Sequence, residues 1–95
     1  MTFYHGTSDI FGILKRILPS NITGIERELR NKKRTDMVYI STSALSAANY
    51  AKKAASKFGG KPILYIVAPT GNHYPLTNGE WLTESAKVIK HEEVY

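Results

Sequence analysis

Three short stretches of the sequence combine reactive or aromatic side chains with residues that leave room for a ligand. Tyr39 and Tyr50 are eleven positions apart, where a strand is expected to run directly into a helix, and their rings could hold a flat ligand between them. His5 directly precedes Gly6, and a glycine allows a ligand to approach the backbone closely enough to hydrogen-bond a planar amide. Glu80 follows a turn-forming Asn-Gly pair and could project a carboxylate into a cleft. Together they indicate a candidate site for a flat ligand.

Each of these features alone also fits a purely structural role. Tyrosines such as Tyr39 and Tyr50 commonly pack at the edge of a core, and a lone His5 is commonly a hydrogen-bonded structural residue. Glu80 alone would be an ordinary exposed carboxylate. The candidate site therefore depends on whether the fold brings these residues together.

Local patterns predict the elements that would position these side chains. The Ala- and Lys-rich stretch 44–58 predicts a helix, with hydroxyl-bearing capping residues before it and two glycines after it. An apolar stripe over 10–18 predicts a second helix, ended by Pro19, and 25–30 is either a short helix or an irregular loop. Strands are expected at 2–5, 37–40, 61–68, 80–83 and 86–95, with turns or loops at 20–24, 31–36, 69–78 and 83–85. This order predicts an α+β domain with several strands late in the chain.

Composition limits the classes of partner and cofactor. The 95 residues are expected to form one domain, 1–95, and the net charge of +5 favours anionic partners such as nucleotides, nucleic acid or acidic protein surfaces. Cysteine is absent and the three histidines are far apart, so no metal site is expected. No apolar run is long enough to cross a membrane, and we expect no secretion signal. We expect a monomer that acts in the cytoplasm without a membrane partner; action in a host cell remains possible.

Three motifs, taken in order, resemble those of a known enzyme family. Tyr4-His5-Gly6-Thr7 resembles the first motif of the His-Tyr-Glu clade of ADP-ribosyltransferases, which includes the diphtheria-toxin-like and poly(ADP-ribose) polymerase-like enzymes. Tyr39-Ile40-Ser41-Thr42 through Ala47-Ala48-Asn49-Tyr50 resembles the second, with the same spacing between its tyrosines, and Glu80-Trp81-Leu82 resembles the third. The resemblance covers nearly the whole chain. It implies the ADP-ribosyltransferase fold, a split mixed β-sheet core with two or three helices.

The resemblance implies NAD as co-substrate, no metal, and a role for each motif residue. Tyr39 and Tyr50 would clamp the cationic nicotinamide ring, and the Gly6 backbone would bond its carboxamide. His5 would hydrogen-bond a ribose hydroxyl. Glu80 would bond the ribose 2′-hydroxyl and stabilise the positive charge that develops as nicotinamide leaves. Glu80, His5 and Tyr39 are thus the expected catalytic residues.

The resemblance implies further donor-binding residues around these motifs. Thr7, Ser41 and Ala47 belong to the expected donor site, and Ala47 stands where the polymerase-like branch often has a carboxamide-binding serine. The basic loop before Tyr39 corresponds to the family's donor loop over the pyrophosphate. Its candidate cations are Arg30, Lys32, Lys33 and Arg34, of which Arg34 is assigned to the donor site.

The expected activity is mono-ADP-ribosylation of an unidentified acceptor, which could be a protein, a nucleic acid or a small molecule. Arginine is not predicted as the acceptor, because Asn78 stands where arginine-modifying relatives carry a second glutamate. Glu84, Glu92 and Glu93 are rivals for the role of Glu80, and His73 and Tyr74 are candidate acceptor contacts. Alternative functions are an NAD glycohydrolase, an RNA 2′-phosphotransferase-like enzyme, a non-catalytic NAD- or ADP-ribose-binding module, and a small basic RNA-binding domain.

Overall fold

Antiparallel pairing connects the strands of the computed structural model, which describes residues 1–29 and 34–95. The elements in chain order are β1 (Phe3–Ser8), a 3-10 turn (Asp9–Phe11), β2 (Arg16–Ile17), α1 (Ser20–Thr23), β3 (Val38–Ser41), α2 (Ala44–Phe58), β4 (Pro62–Pro75) and β5 (Glu80–Glu93). The sheet order is β2-β5-β3-β1-β4, and β4 also pairs with β5, so that β1, β3, β5 and β4 form a closed ring. The expected α+β class is confirmed.

The expected mixed sheet is wrong, because every strand pairing in the described part of the chain is antiparallel. β3 and β4 do run in the same direction, since both are antiparallel to β1. The crossover through α2, however, places them on opposite sides of β1 and not next to each other. Strands β3 and β4 are therefore parallel in direction but are not hydrogen-bonded to each other.

The helix predicted over 10–18 is also wrong. Gly12 adopts the left-handed conformation (φ 63°) and ends the 3-10 turn. The chain then extends into β2, where Ile17 pairs with Ala86 of β5 and is fully buried. Leu14, on the expected helical stripe, is 82% exposed. The apolar spacing predicts a helix with one buried stripe, but the chain instead forms a strand that buries Ile17 against the sheet.

Strands β4 and β5 form one long hairpin in the C-terminal part of the chain. The sequence instead predicts a loop at 69–78, a strand at 80–83, a turn at 83–85 and a last strand at 86–95. Thr70 pairs with Ser85, so residues 69–75 of the expected loop and the whole expected turn at 83–85 lie within strands, while 76–78 are irregular as expected. A register shift between Thr70 and His73 absorbs the intervening turn-forming residues without ending β4. The actual turn is shorter and lies at 76–79, directly before Glu80.

The helix predicted at 44–58 is confirmed as α2. The Ser43 hydroxyl accepts a hydrogen bond from the Ser46 backbone N–H (3.1 Å) and caps its first turn. Of the remaining expectations, the turn at 20–24 begins with the short helix α1, and 24–29 has no regular structure. The expected loop at 31–36 is irregular over 34–36, and its first residues lie outside the described part of the chain.

The core fills the space inside the strand ring, and α2 covers one side of it. α2 packs on β1 through small residues, Ala47, Ala51 and Ala54, all buried. The inner faces of the strands supply the main hydrophobic cluster: Phe3, Ile17, Val38, Ile40, Tyr65, Val67 and Ala86. Helix α2 therefore lies against β1 and β4 and also contacts β3. In the part of the chain that the structure describes, no helix has the length and apolar character needed to cross a membrane.

Candidate functional site

A cleft of about 380 Å³ lies where the first turns of α2 face β1, β3 and the start of β5. Ser41 of β3 is opposite Tyr4 of β1 and opposite Glu80 of β5, so this residue marks the point where the three strands meet. The residues lining the cleft are Tyr4, His5, Gly6, Glu28, Tyr39, Ile40, Ser41, Ser46, Ala47, Tyr50, Thr77, Asn78 and Glu80. The volume is at the lower end of the range of roughly 300–1,000 Å³ that is usual for ligand pockets.

Most of the site residues predicted from the sequence line this one cleft. They are His5, Gly6, Tyr39, Ser41, Ala47, Tyr50 and Glu80. Thr7 and Arg34 do not line it. Thr7 is buried, and its hydroxyl has no hydrogen-bond partner among the described residues. The cations Arg30, Lys32 and Lys33 lie outside the described residues.

His5 is fixed as a neutral imidazole. Its Nδ1 lies 2.7 Å from the backbone oxygen of Tyr39, and because a carbonyl can only accept, Nδ1 carries the hydrogen. Burial lowers the pKa of His5 to about 4; the hydrogen bond to Tyr39 opposes this shift, and the nearby charge of Arg27 adds to it. Nε2 is therefore an acceptor, and it has no partner among the described residues. Nε2 itself is buried, so a ligand hydroxyl could donate to it only after the side chains that cover it move aside.

Tyr39 is held at both its backbone and its hydroxyl. The backbone oxygen accepts from His5, and the hydroxyl accepts from the backbone N–H of Arg34 (3.0 Å). The Arg34 guanidinium is exposed and donates to the Asp36 carboxylate (2.7 and 2.8 Å) and to the Tyr74 hydroxyl (3.1 Å). Arg34 thus contributes to the site through its backbone, while its side chain bonds Asp36 and Tyr74.

Tyr50 is held from the opposite side by the chain segment that precedes β3. Its hydroxyl accepts from the backbone N–H of Leu29 (2.8 Å) and donates to Oε1 of Glu28 (2.9 Å). Glu28 itself lines the cleft. Glu28 is not among the site residues predicted from the sequence. It lies in an irregular segment, and no local pattern there relates it to α2, which begins at Ala44.

Glu80 opens β5 directly after a tightly anchored turn. Asn78 and Gly79 both have positive φ (56° and 77°), which lets the chain reverse before the strand begins. The Gly79 backbone oxygen accepts from both the backbone N–H (2.9 Å) and the hydroxyl (3.2 Å) of Thr42, which ties this turn to the end of β3. Glu80 is half-buried at the rim of the cleft.

The rival glutamates lie elsewhere. The carboxylate of Glu84 is exposed and accepts from the Asn72 backbone N–H on the outside of the hairpin. Glu92 and Glu93 are exposed at the far end of β5, opposite the start of β4. None of the three lines the cleft. The expected acceptor contacts His73 and Tyr74 lie in β4 and also do not line it.

Gly6 allows α2 to approach β1 unusually closely. A Cβ at this position would overlap the backbone carbonyl of Ala47, lying 2.7 Å from its carbon atom, and would lie 3.1 Å from the backbone nitrogen of Ala51. The space that a side chain would occupy is therefore taken by the helix backbone. This contact brings Ala47 and Tyr50 of α2 against the strand that carries His5.

Comparisons with protein-family models, with curated proteins and with solved structures found no match to this chain. Among the described residues there is no group of three or more side chains that could hold a metal ion. What the cleft offers chemically is three tyrosines, a neutral imidazole, a carboxylate at the rim and a second carboxylate, Glu28, beside Tyr50.

Proposed function

We propose that the protein is an ADP-ribosyltransferase that cleaves NAD at the nicotinamide–ribose bond and transfers ADP-ribose to an acceptor. The observation that carries this proposal is the meeting of Tyr39, Tyr50, His5 and Glu80 in one cleft, although they come from four separate elements. The motif resemblance implies this meeting, whereas separate structural roles would not require it. We also propose that the domain is a variant of the ADP-ribosyltransferase fold in which the sheet is antiparallel and not mixed.

The size and charge of the cleft suit the nicotinamide half of NAD. A volume of about 380 Å³ is appropriate for the nicotinamide and its ribose, with the adenosine half extending outside. The ring is flat and cationic, and tyrosine faces attract such rings. His5 is neutral because burial lowers its pKa to about 4, so it does not repel the cation at neutral pH. For its Nε2 to accept from a ribose hydroxyl, as the resemblance implies, the side chains that bury this atom would have to move.

The proposed reaction breaks the glycosidic C–N bond. The electron pair of that bond goes to the nicotinamide nitrogen, which becomes neutral, and the ribose C1′ becomes an oxocarbenium-like centre. Glu80, at the rim, would stabilise this positive charge and bond the 2′-hydroxyl. The acceptor nucleophile then forms the new bond to C1′ and loses its proton. Water in that place would give NAD hydrolysis.

The test is nicotinamide release from NAD by the purified protein and its Glu80→Gln variant, with and without cell lysate as a source of acceptors. Glu92→Gln is the matched control, since Glu92 is an exposed carboxylate on the same strand. We expect the Glu80 variant to release nicotinamide about 10²–10³-fold more slowly, as for other removed electrostatic stabilisers, while NAD affinity changes little. The Glu92 variant should match the wild type.

Other outcomes would contradict the proposal in distinguishable ways. Equal release by all three proteins would remove Glu80 from the mechanism. No release by the wild type, together with NAD binding that Tyr50→Ala abolishes, would leave a binding module. Neither release nor binding would refute the donor site altogether.

A further inference from the structure

Two hydrogen bonds meet at the Tyr50 hydroxyl, and both come from the irregular segment before β3. The Leu29 N–H donates to the hydroxyl oxygen, at 2.8 Å. Because a carboxylate can only accept, the hydroxyl donates its proton to Oε1 of Glu28, at 2.9 Å. A bond from a neutral hydroxyl to a carboxylate is charge-assisted and stronger than a neutral one. The position of the Tyr50 ring is thus coupled to the position of Glu28.

Tyr39, the second tyrosine of the proposed clamp, is held in a similar way. The Tyr39 hydroxyl accepts from the backbone N–H of Arg34, which lies in the same connection between α1 and β3. Both rings are therefore fixed at their outer ends by one stretch of chain, whereas their inner ends belong to β3 and α2. At Tyr50 the contact includes a side chain, that of Glu28, which also lines the cleft.

We propose that Glu28 is a positioning residue of the donor site, holding the Tyr50 ring in the orientation that accepts the nicotinamide. This inference rests on the proposed function. Glu28 acts through the Tyr50 hydroxyl and not on the reacting bond. Its loss should weaken donor binding and leave the chemical step unchanged, which is the opposite of the effect expected for Glu80.

Substitutions at Glu28 can separate its hydrogen bond from its charge. Gln at this position keeps an acceptor oxygen for the Tyr50 hydroxyl but removes the charge, whereas Ala removes both. The distinction matters because the Glu28 carboxylate also raises the pKa of the neighbouring Arg27, against the lowering that burial of the guanidinium causes. A role based on charge would be lost in both variants. A role based on the hydrogen bond would survive in Glu28→Gln.

The experiment measures KM for NAD and kcat for nicotinamide release. We expect Glu28→Ala to raise KM about five- to tenfold, as the net loss of one hydrogen bond predicts, with kcat within about twofold of the wild type. Tyr50→Phe, which also loses the bond from the Leu29 N–H, should raise KM at least as much, again with little change in kcat. The double variant should match Tyr50→Phe, because that change already removes the bond to Glu28 as well as the bond from the Leu29 N–H. Glu28→Gln should stay within about twofold of the wild type.

The chain offers a matched control pair in Tyr95 and Glu93. The Tyr95 hydroxyl donates to Oε2 of Glu93 at 3.1 Å, with the same chemistry but between two exposed residues away from the cleft. Tyr95→Phe and Glu93→Ala should leave KM and kcat unchanged. Additive effects of the Tyr50 and Glu28 changes, a fall in kcat instead of a rise in KM, or a Gln variant as impaired as the Ala variant would overturn the proposal.

A second measurement separates this proposal from the proposed function. Urea unfolding of the wild type, the two single variants and the double variant reports the coupling of Tyr50 and Glu28 without NAD. Coupling without any nicotinamide release would refute the proposed function and, with it, the donor role of Glu28, while showing that the contact itself holds Tyr50. Nicotinamide release without coupling would refute the positioning role alone.

Discussion

His5 should make the stability of the protein depend on pH in a defined direction. The imidazole is buried, and burial lowers its pKa from 6.5 to about 4 in the folded state. Between these two values the unfolded chain binds a proton that the folded protein does not. Stability therefore increases with pH across this window and is lost as the pH falls through it.

The size of the effect follows from the two pKa values. The full loss of stability, complete below the folded pKa, is about 3 kcal/mol, and about 2 kcal/mol of it has already occurred at about pH 5. This is a large part of the stability of a small domain, which is typically about 5–15 kcal/mol.

The test compares urea unfolding of the wild type and His5→Asn at about pH 8 and about pH 5. Asparagine can keep a donor to the Tyr39 backbone oxygen but does not titrate. We expect the wild type to lose about 2 kcal/mol more than the variant between the two pH values, whatever their difference at pH 8. Carboxylates elsewhere titrate in both proteins and cancel. An equal loss in the two proteins would refute the assignment of His5 as a buried neutral imidazole.

Three further substitutions test the packing that forms the site, each by urea unfolding. Gly6→Ala should cost about 3 kcal/mol or more, because its Cβ would meet the rigid backbone of Ala47; a smaller cost would mean that α2 can move away from β1. Ser43→Ala should cost about 1 kcal/mol by removing the cap on the Ser46 N–H, and an unchanged midpoint would contradict that cap. Ile17→Ala should cost about 3 kcal/mol, whereas a cost under about 1 kcal/mol would show that β2 is not docked on the sheet.

Local signals were sufficient for α2 but not for the segment after β1. The helix at 44–58 has strong helix formers, a serine cap and two terminal glycines, all within its own sequence. Over 10–18 the apolar spacing fits a helix equally well, but the outcome depends on a distant partner. Ile17 gains full burial only by pairing with Ala86, and no local pattern contains that information.

The candidate site could be predicted where it lies on regular elements. His5, Tyr39, Tyr50 and Glu80 occupy strand ends and a helix, and the motif resemblance places them in one site, where the structure also brings them together. Glu28 could not be predicted, since its link to the cleft is a hydrogen bond between a loop and a helix. The extent of the hairpin was also hidden, because turn-forming residues within β4 are absorbed by a register shift that only strand pairing can specify.

Closure of the strand ring has a consequence for the order of events during synthesis. His5, Tyr39 and Tyr50 are translated before β4 and β5, yet β1 and β3 take most of their backbone partners from those two late strands. Such non-local pairing folds slowly, typically in milliseconds to seconds, because distant parts of the chain must first meet. A nascent chain that extends only to α2 therefore carries these three side chains without a pocket. Any activity of the cleft must begin only after the last hairpin has left the ribosome.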